Sequence, residues 1–177
     1  MSLSFRKTVE YRLHKVVTEL GSLPVAIALV VLGGGWLAAR HRIREAGALG
    51  IGLALTYAAV HITKDAVDRP RPARPLIDVD GAAYPSGHAA YAVTWVAVAV
   101  AITNALPNVA SRFAFVTVAT AIAAAVGASR IYLRAHYLSD VVGGWGLAAA
   151  LFALCGTAAL VIGYVRNNVR TPEATTP

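Results

Sequence analysis

A single cysteine among 177 residues leaves no partner for an intramolecular disulfide. Cys155 lies inside an apolar run, where it reads as a packed helix residue. Charge is scarce as well. Charged residues make up 14% of the chain, against about 25% in an average soluble domain. Hydrophobic residues reach 57% and mean hydropathy is +0.60, which excludes an ordinary soluble domain once the apolar residues prove to be clustered. They are clustered: residues 21–39, 46–63, 89–106, 113–128 and 141–165 contain no Asp, Glu, Lys or Arg. Each run is close to the roughly 20 residues needed to cross the hydrocarbon core. The runs are continuous and not alternating, which excludes a closed β-barrel. No internal repeat is visible, and the length suits one domain.

The expected fold is therefore an all-α integral membrane protein, a five-span helical bundle. Residues 1–20 are too polar to span. Val9, Leu13, Val16, Val17 and Leu20 recur at helical spacing among Arg6, Lys7, Glu10, Arg12, Lys15 and Glu19, the pattern of an N-terminal amphipathic helix lying in the interface. A cleaved signal peptide does not fit, because the first apolar run starts late and is as long as a full span. Residues 21–165 form the transmembrane domain, and residues 166–177 are read as a cytoplasmic polar tail.

The net charge of +7 would prompt a test for nucleic acid in a soluble protein. Here the positive-inside bias and an anion pocket account for it, and no nucleic-acid partner is expected. Arg40, Arg42 and Arg44 lie between the first two runs, Arg112 between the third and fourth, and Arg166 and Arg170 after the fifth. With alternating spans these regions share one face, the cytoplasm, and the loops after the second and fourth spans face outward. This scheme also puts the basic N-terminus outside, against the charge rule.

The outward loops carry the chemistry. Lys64 ends the second run, and Arg71-Pro72 follows in a stiff segment, 65–84, that also holds Arg69-Pro70 and Arg74-Pro75. Pro85-Ser86-Gly87-His88 opens the third run. A helix N-terminus presents N–H groups and a partial positive charge to an anion, Gly87 permits close approach, and Ser86 offers a hydroxyl. The plainer alternative for Ser86 is a simple N-cap. Ser129-Arg130 precedes His136 and Asp140, an i, i+4 pair that can touch on one helix face. Asp140 can accept the Nδ1–H of His136, leaving Nε2 free to attack. Arg130 offers a planar fork for phosphate oxygens. Ion pairing at helix ends and snorkelling to head groups are the bland readings of these residues; the snorkelling reading is kept for Arg69 and Arg74. Asp65, Asp68, Asp78 and Asp80 form no cluster with histidine at metal-ligand spacing, so no metal or other cofactor is expected.

Taken in order, Lys64-x6-Arg71-Pro72, Pro85-Ser86-Gly87-His88 and Ser129-Arg130-x5-His136-x3-Asp140 match without exception the pattern of the phosphatidic acid phosphatase type 2 (PAP2) superfamily, which the chain resembles. The resemblance covers residues 64–140 by motif. It implies that His136 attacks phosphorus to give a phosphohistidine, that Asp140 orients it, and that His88 protonates the leaving oxygen and then activates water. Lys64, Arg71, Ser86, Gly87 and Arg130 would bind the phosphoryl oxygens. The implied substrate is a lipid phosphate or diphosphate in a bacterial plasma membrane: a polyprenyl diphosphate or polyprenyl-phosphate sugar, phosphatidylglycerol phosphate or phosphatidic acid. The outward site places carrier recycling slightly ahead. Membrane members usually have six spans, and the missing one here is the first. The alternatives are a non-catalytic lipid-phosphate binding or transport protein, whose signature would be loss of His136 or His88, and a vanadate-dependent haloperoxidase, which the resemblance makes a soluble protein. Nothing in the sequence sets the oligomeric state.

Overall fold

The computed structural model describes residues 3–169. Six α-helices carry the chain: α1 (Leu3–Glu19), α2 (Leu23–Ala39), α3 (Ile43–Val67), α4 (Gly87–Ile102), α5 (Val109–Tyr132) and α6 (Leu138–Val169), with a short 3-10 turn at Thr103–Ala105. No strand occurs among the described residues. Helix α4 is the centre of the bundle, packed against α2, α3, α5 and α6, while α1 packs against α5. Four of its seven buried positions are alanine, with Ala89, Ala90, Ala92 and Ala99 essentially inaccessible, so neighbouring backbones approach closely. Phe152 of α6 joins the other half of the core. It packs against Leu53 and Tyr91, against Leu37 and Leu49, and against Val60 and Ala148. Gly52 makes room for it, since a Cβ there would lie 2.5 Å from the Phe152 ring.

Three helices, α3, α5 and α6, are long and apolar enough to cross a bilayer. Their apolar stretches are only 28%, 17% and 11% buried, so most of that surface turns outward, as lipid exposure requires. The expected count of five full spans is not reached. Helix α4 has 16 residues and α2 has 17, or about 25 Å of rise each. Helices α1 and α2 pass as a span only as a pair, bent by 47° at their junction. The charge-free runs also misplace helix ends. Lys64 lies within α3, and Arg130 within α5. Residues 166–169 continue α6 and are not tail, and 170–177 fall outside the described residues.

The amphipathic helix is present, with its faces reversed from what a soluble protein would show. Val9, Leu13, Val16 and Leu20 are exposed, while Tyr11, His14 and Thr18 turn toward the bundle. The His14 ring stacks on Tyr132 of α5 at 3.9 Å, and Trp95 of α4 donates Nε1–H to the Leu20 carbonyl at 2.9 Å.

The charged motifs fall at one end of the bundle and the loop arginines at the other. At the basic end Arg42 donates to the Ala101 carbonyl at 3.0 Å, and a cleft of about 520 Å³ brings Arg42, Arg44 and Arg166 together. At the motif end, Ser86 N–H donates to the Asp140 carbonyl at 2.9 Å, joining the start of α4 to the start of α6. Gly144 is required at that approach, because a Cβ would sit 2.5 Å from the Ser86 carbonyl oxygen. Gly146, two residues on, has nothing within 4 Å. Gly144→Ala should therefore cost about 1–3 kcal/mol by overpacking, while Gly146→Ala should be neutral or slightly stabilising. Thermal unfolding in detergent checks this; equal melting temperatures for the two variants would contradict the close approach.

Candidate active site

The motif end encloses an open cavity of about 900 Å³. Lys64, Arg71, Gly87, His88, Arg130 and His136 all line it. Ser86 and Asp140 do not: both are fully buried behind the wall. Eight residues drawn from four separate segments thus divide into six on the surface of one cavity and two beneath it.

Local structure explains the placement of His136. Helix α5 ends at Tyr132, and Arg134 takes a left-handed conformation (φ 52°) that turns the chain back. The Arg130 carbonyl then accepts from both Ala135 N–H (3.1 Å) and His136 N–H (3.3 Å). His136 is therefore pinned one short turn beyond Arg130. Its ring is 4% exposed. Nδ1 lies 2.7 Å from the Ala83 carbonyl oxygen, and a carbonyl can only accept, so Nδ1 carries the proton. Nε2 is then the lone-pair nitrogen. It lines the cavity side, where Arg71 Nη1 stands 3.3 Å away and donates to it.

Asp140 lies beside the same ring. Its Oδ2 is 3.6 Å from His136 Nδ1, too long for a hydrogen bond. The backbone carbonyl of Ala83 has taken that place. The Asp140 carboxylate instead accepts Tyr137 N–H at 2.8 Å, closing the first turn of α6, and Arg69 Nη1 at 2.7 Å. Arg69 also donates to Ser139 Oγ at 2.7 Å and lies over the Tyr137 ring at 4.5 Å. Its carbonyl accepts Ala83 N–H at 2.8 Å. Arg69 thus braces Asp140 by its side chain and Ala83 by its backbone, and the head-group reading given to it from sequence is wrong. Arg74 is exposed, with no such partners shown.

The cations are held by neutral acceptors. Arg71 donates to the carbonyls of Gly81 (2.9 Å), Asp80 (2.6 Å) and Ala135 (3.0 Å), which ties the 65–84 loop to the α5–α6 turn. Lys64 donates to the Ala82 carbonyl. Arg130, 4% exposed, donates to Thr18 Oγ1 at 3.0 Å. Ser86 Oγ caps α4, accepting Ala89 N–H at 3.4 Å, so the plain N-cap role is realised there. Burial, then the charges of Arg130 and Arg71, push the His136 pKa down to about 3, leaving its ring neutral at ordinary pH. Among the described residues no three His, Cys, Asp or Glu side chains come together as a metal site would need.

Sequence reasoning missed Ala83, Arg69 and the part played by α1. A backbone acceptor such as Ala83 has no side-chain signal. Arg69 had one, the repeated Arg-Pro, but nothing in the pattern separated its role from that of Arg71.

The sequence profile of the PAP2 superfamily matches residues 45–164. The chain belongs to the PAP2 superfamily. It is 28% identical over 141 residues to phosphatidylglycerophosphatase B of Bacillus subtilis, an alignment covering 78% of this chain and 70% of that protein. Its fold superposes on the crystal structure of a transmembrane PAP2-type phosphatidylglycerolphosphate phosphatase from Bacillus subtilis with a TM-score of 0.77, at 27% identity, covering 86% of this chain and 77% of the other. Aquifex aeolicus LpxE shares the fold, with a TM-score of 0.67 at 20% identity over 84% and 86% of the two chains. The chain is an all-α integral membrane protein of this family.

The Arg69–Asp140 pair carries a stability prediction. The carboxylate is fully buried, while the Arg69 side chain is 36% exposed. Arg69→Gln should destabilise by about 1–3 kcal/mol, discounted from a fully buried pair for solvent screening. Arg74→Gln in the same loop should change stability by less than about 0.5 kcal/mol. Matched unfolding curves in detergent decide; no difference between the variants would count against the brace.

Proposed function

We propose that this protein is a metal-independent lipid phosphatase that works through a phosphohistidine on His136. The observation that carries the reading is the tautomer: Nδ1–H is fixed on the Ala83 carbonyl, so the Nε2 lone pair faces a cavity lined by Lys64, Arg71 and Arg130. Phosphoryl transfer is mostly positioning and charge stabilisation, and three cations supply the charge that a divalent ion would otherwise bring.

In the first step Nε2 attacks phosphorus, the P–O bond to the lipid breaks, and His88, protonated once the negative substrate offsets the charges of Lys64, Arg71 and Arg130, gives that proton to the leaving oxygen. In the second step His88 takes a proton from water, the new oxygen attacks phosphorus, and the P–N bond breaks. Lys64, Arg71 and Arg130 hold the equatorial oxygens, with the α4 N-terminus at Gly87 adding N–H groups. Ser86 supports this by capping α4, and Asp140 by anchoring the turn that carries His136. Arg71 must exchange its contact with Nε2 for phosphoryl oxygens as substrate enters.

The substrate class is a lipid carrying a phosphate or diphosphate at the membrane surface. The names of the two Bacillus subtilis relatives favour phosphatidylglycerol phosphate, while an outward site suits polyprenyl carriers. A panel of lipid phosphates in detergent, read as released phosphate, separates them. His136→Ala should lower kcat by at least about three orders of magnitude without unfolding the protein. EDTA should leave wild-type activity intact, and orthovanadate should inhibit as a trigonal-bipyramidal mimic. Near wild-type turnover in His136→Ala would sink the mechanism, and loss in EDTA reversed by magnesium would sink its metal independence.

We also propose that the cavity faces outward. Arg42, Arg44 and Arg166 gather at the opposite end of the bundle, which the positive-inside rule puts in the cytoplasm. In a Cys155→Ala background, a cysteine at Ala73 should react with a membrane-impermeant thiol reagent in intact cells, and one at Asn108 only after permeabilisation. The reverse pattern would put the active site on the cytoplasmic side.

A further inference from the structure

We propose that Thr18 of α1 is a positioning residue for Arg130, making the N-terminal helix a working wall of the phosphate site. The inference rests on the phosphatase reading above, in which Arg130 contacts the phosphoryl group.

Arg130 projects from α5 into the cavity and is almost wholly buried, yet its Nε has no hydrogen-bond partner among the described residues. A buried guanidinium N–H left unpaired is costly unless something else arrives to accept from it. The group as a whole lines the cavity, so its other N–H groups are the ones a phosphoryl oxygen there would meet. The opposite edge of the same group is held: Nη1 donates to Thr18 Oγ1 at 3.0 Å, and Thr18 is itself 3% exposed. One donor is thus fixed, and the plane of the guanidinium with it. A freely rotating Arg would have to be ordered when substrate binds, near two other cations, Lys64 and Arg71, that repel it.

Thr18 can do this because α1 is fastened on both sides of it. Toward the N-terminus, His14 stacks on Tyr132, whose hydroxyl donates to Glu10 Oε2 at 3.4 Å. Toward the C-terminus, Trp95 donates to the Leu20 carbonyl. At the bend, a Cβ on Gly21 would come within 2.5 Å of the His88 carbonyl oxygen, so the α1–α2 junction is seated directly on the backbone of that residue. A helix that merely floated on the bilayer would need none of these contacts. Thr18 also lies one helical turn from His14 and two from Tyr11, which is why the polar face, not the apolar one, turns inward.

The test uses the full-length protein in detergent. Thr18→Val keeps the shape and removes the acceptor; Thr18→Ser keeps the acceptor. Thr18→Val should lower kcat about tenfold on both a lipid phosphate and a small soluble phosphate ester, and weaken orthovanadate binding measured by calorimetry about tenfold. KM for the lipid should change by less than about threefold, and Thr18→Ser should recover most of the loss. In an Arg130→Lys background, Thr18→Val should add less than about twofold, because the partner it positions is gone. Wild-type kcat and vanadate affinity in Thr18→Val would overturn the positioning role alone. So would a full, multiplicative loss in the Arg130→Lys background, which would show that Thr18 acts on the fold. A wild-type protein with no phosphatase activity would remove the underlying reading and this inference together.

Discussion

The hydrogen bond from His136 Nδ1 to the Ala83 carbonyl, 2.7 Å long, is the contact on which the rest of the site depends. It sets the tautomer, aims Nε2 at the cavity, and joins the 65–84 loop to the α5–α6 turn. Each end of it is secured independently. Ala83 N–H is held by the Arg69 carbonyl, and the His136 backbone by the Arg130 carbonyl. Arg71 then bridges the same two segments from the cavity side through Gly81, Asp80 and Ala135. A loop of some twenty residues is thereby tied down at several points without secondary structure of its own.

Much of this arrangement is written in the polar residues and their order. Lys64, His88 and Arg130 stood out because each lies at the end of a long apolar run, where a polar group needs a reason, and Arg71 and His136 because they follow Lys64 and Arg130 at the spacing of the motif. All five line one cavity. What stayed hidden is what side-chain identity does not encode. The acceptor for His136 is a backbone carbonyl, which any residue at position 83 would supply. Asp140 had the right spacing to reach His136, yet its geometry was decided by the N-terminal turn of α6 and by Arg69. The count of five full spans is not reached for a related reason: charge-free length marks where a chain tolerates lipid, not where a helix begins or ends. Helix α4 stops at Ile102 although residues 103–106 carry no charge.

Helix α1 shows how the solvent changes the meaning of a pattern. In water an amphipathic helix turns its apolar face to the protein. At a bilayer the apolar face has an equally good partner in lipid, so hydrophobicity no longer chooses the inward side. Specific polar contacts choose it instead, and here they are the His14–Tyr132 stack and the Thr18–Arg130 bond. Val9, Leu13, Val16 and Leu20 are left exposed on the outer side.

The distribution of acid and base in the site follows one rule. Each of the three motif cations in the cavity is partnered by a neutral oxygen: Lys64 by the Ala82 carbonyl, Arg71 by three carbonyls, Arg130 by a hydroxyl. Asp140, the one fully buried carboxylate among the described residues, is engaged by Arg69 beneath the wall, and the acids that line the cavity, Glu19, Asp78 and Asp80, are exposed at its rim. Neutral acceptors fix direction without cancelling charge. A carboxylate in their place would fix direction too, but it would neutralise the cation and compete with an incoming phosphate. Burial, and after it the charges of Arg130 and Arg71, keep His136 unprotonated.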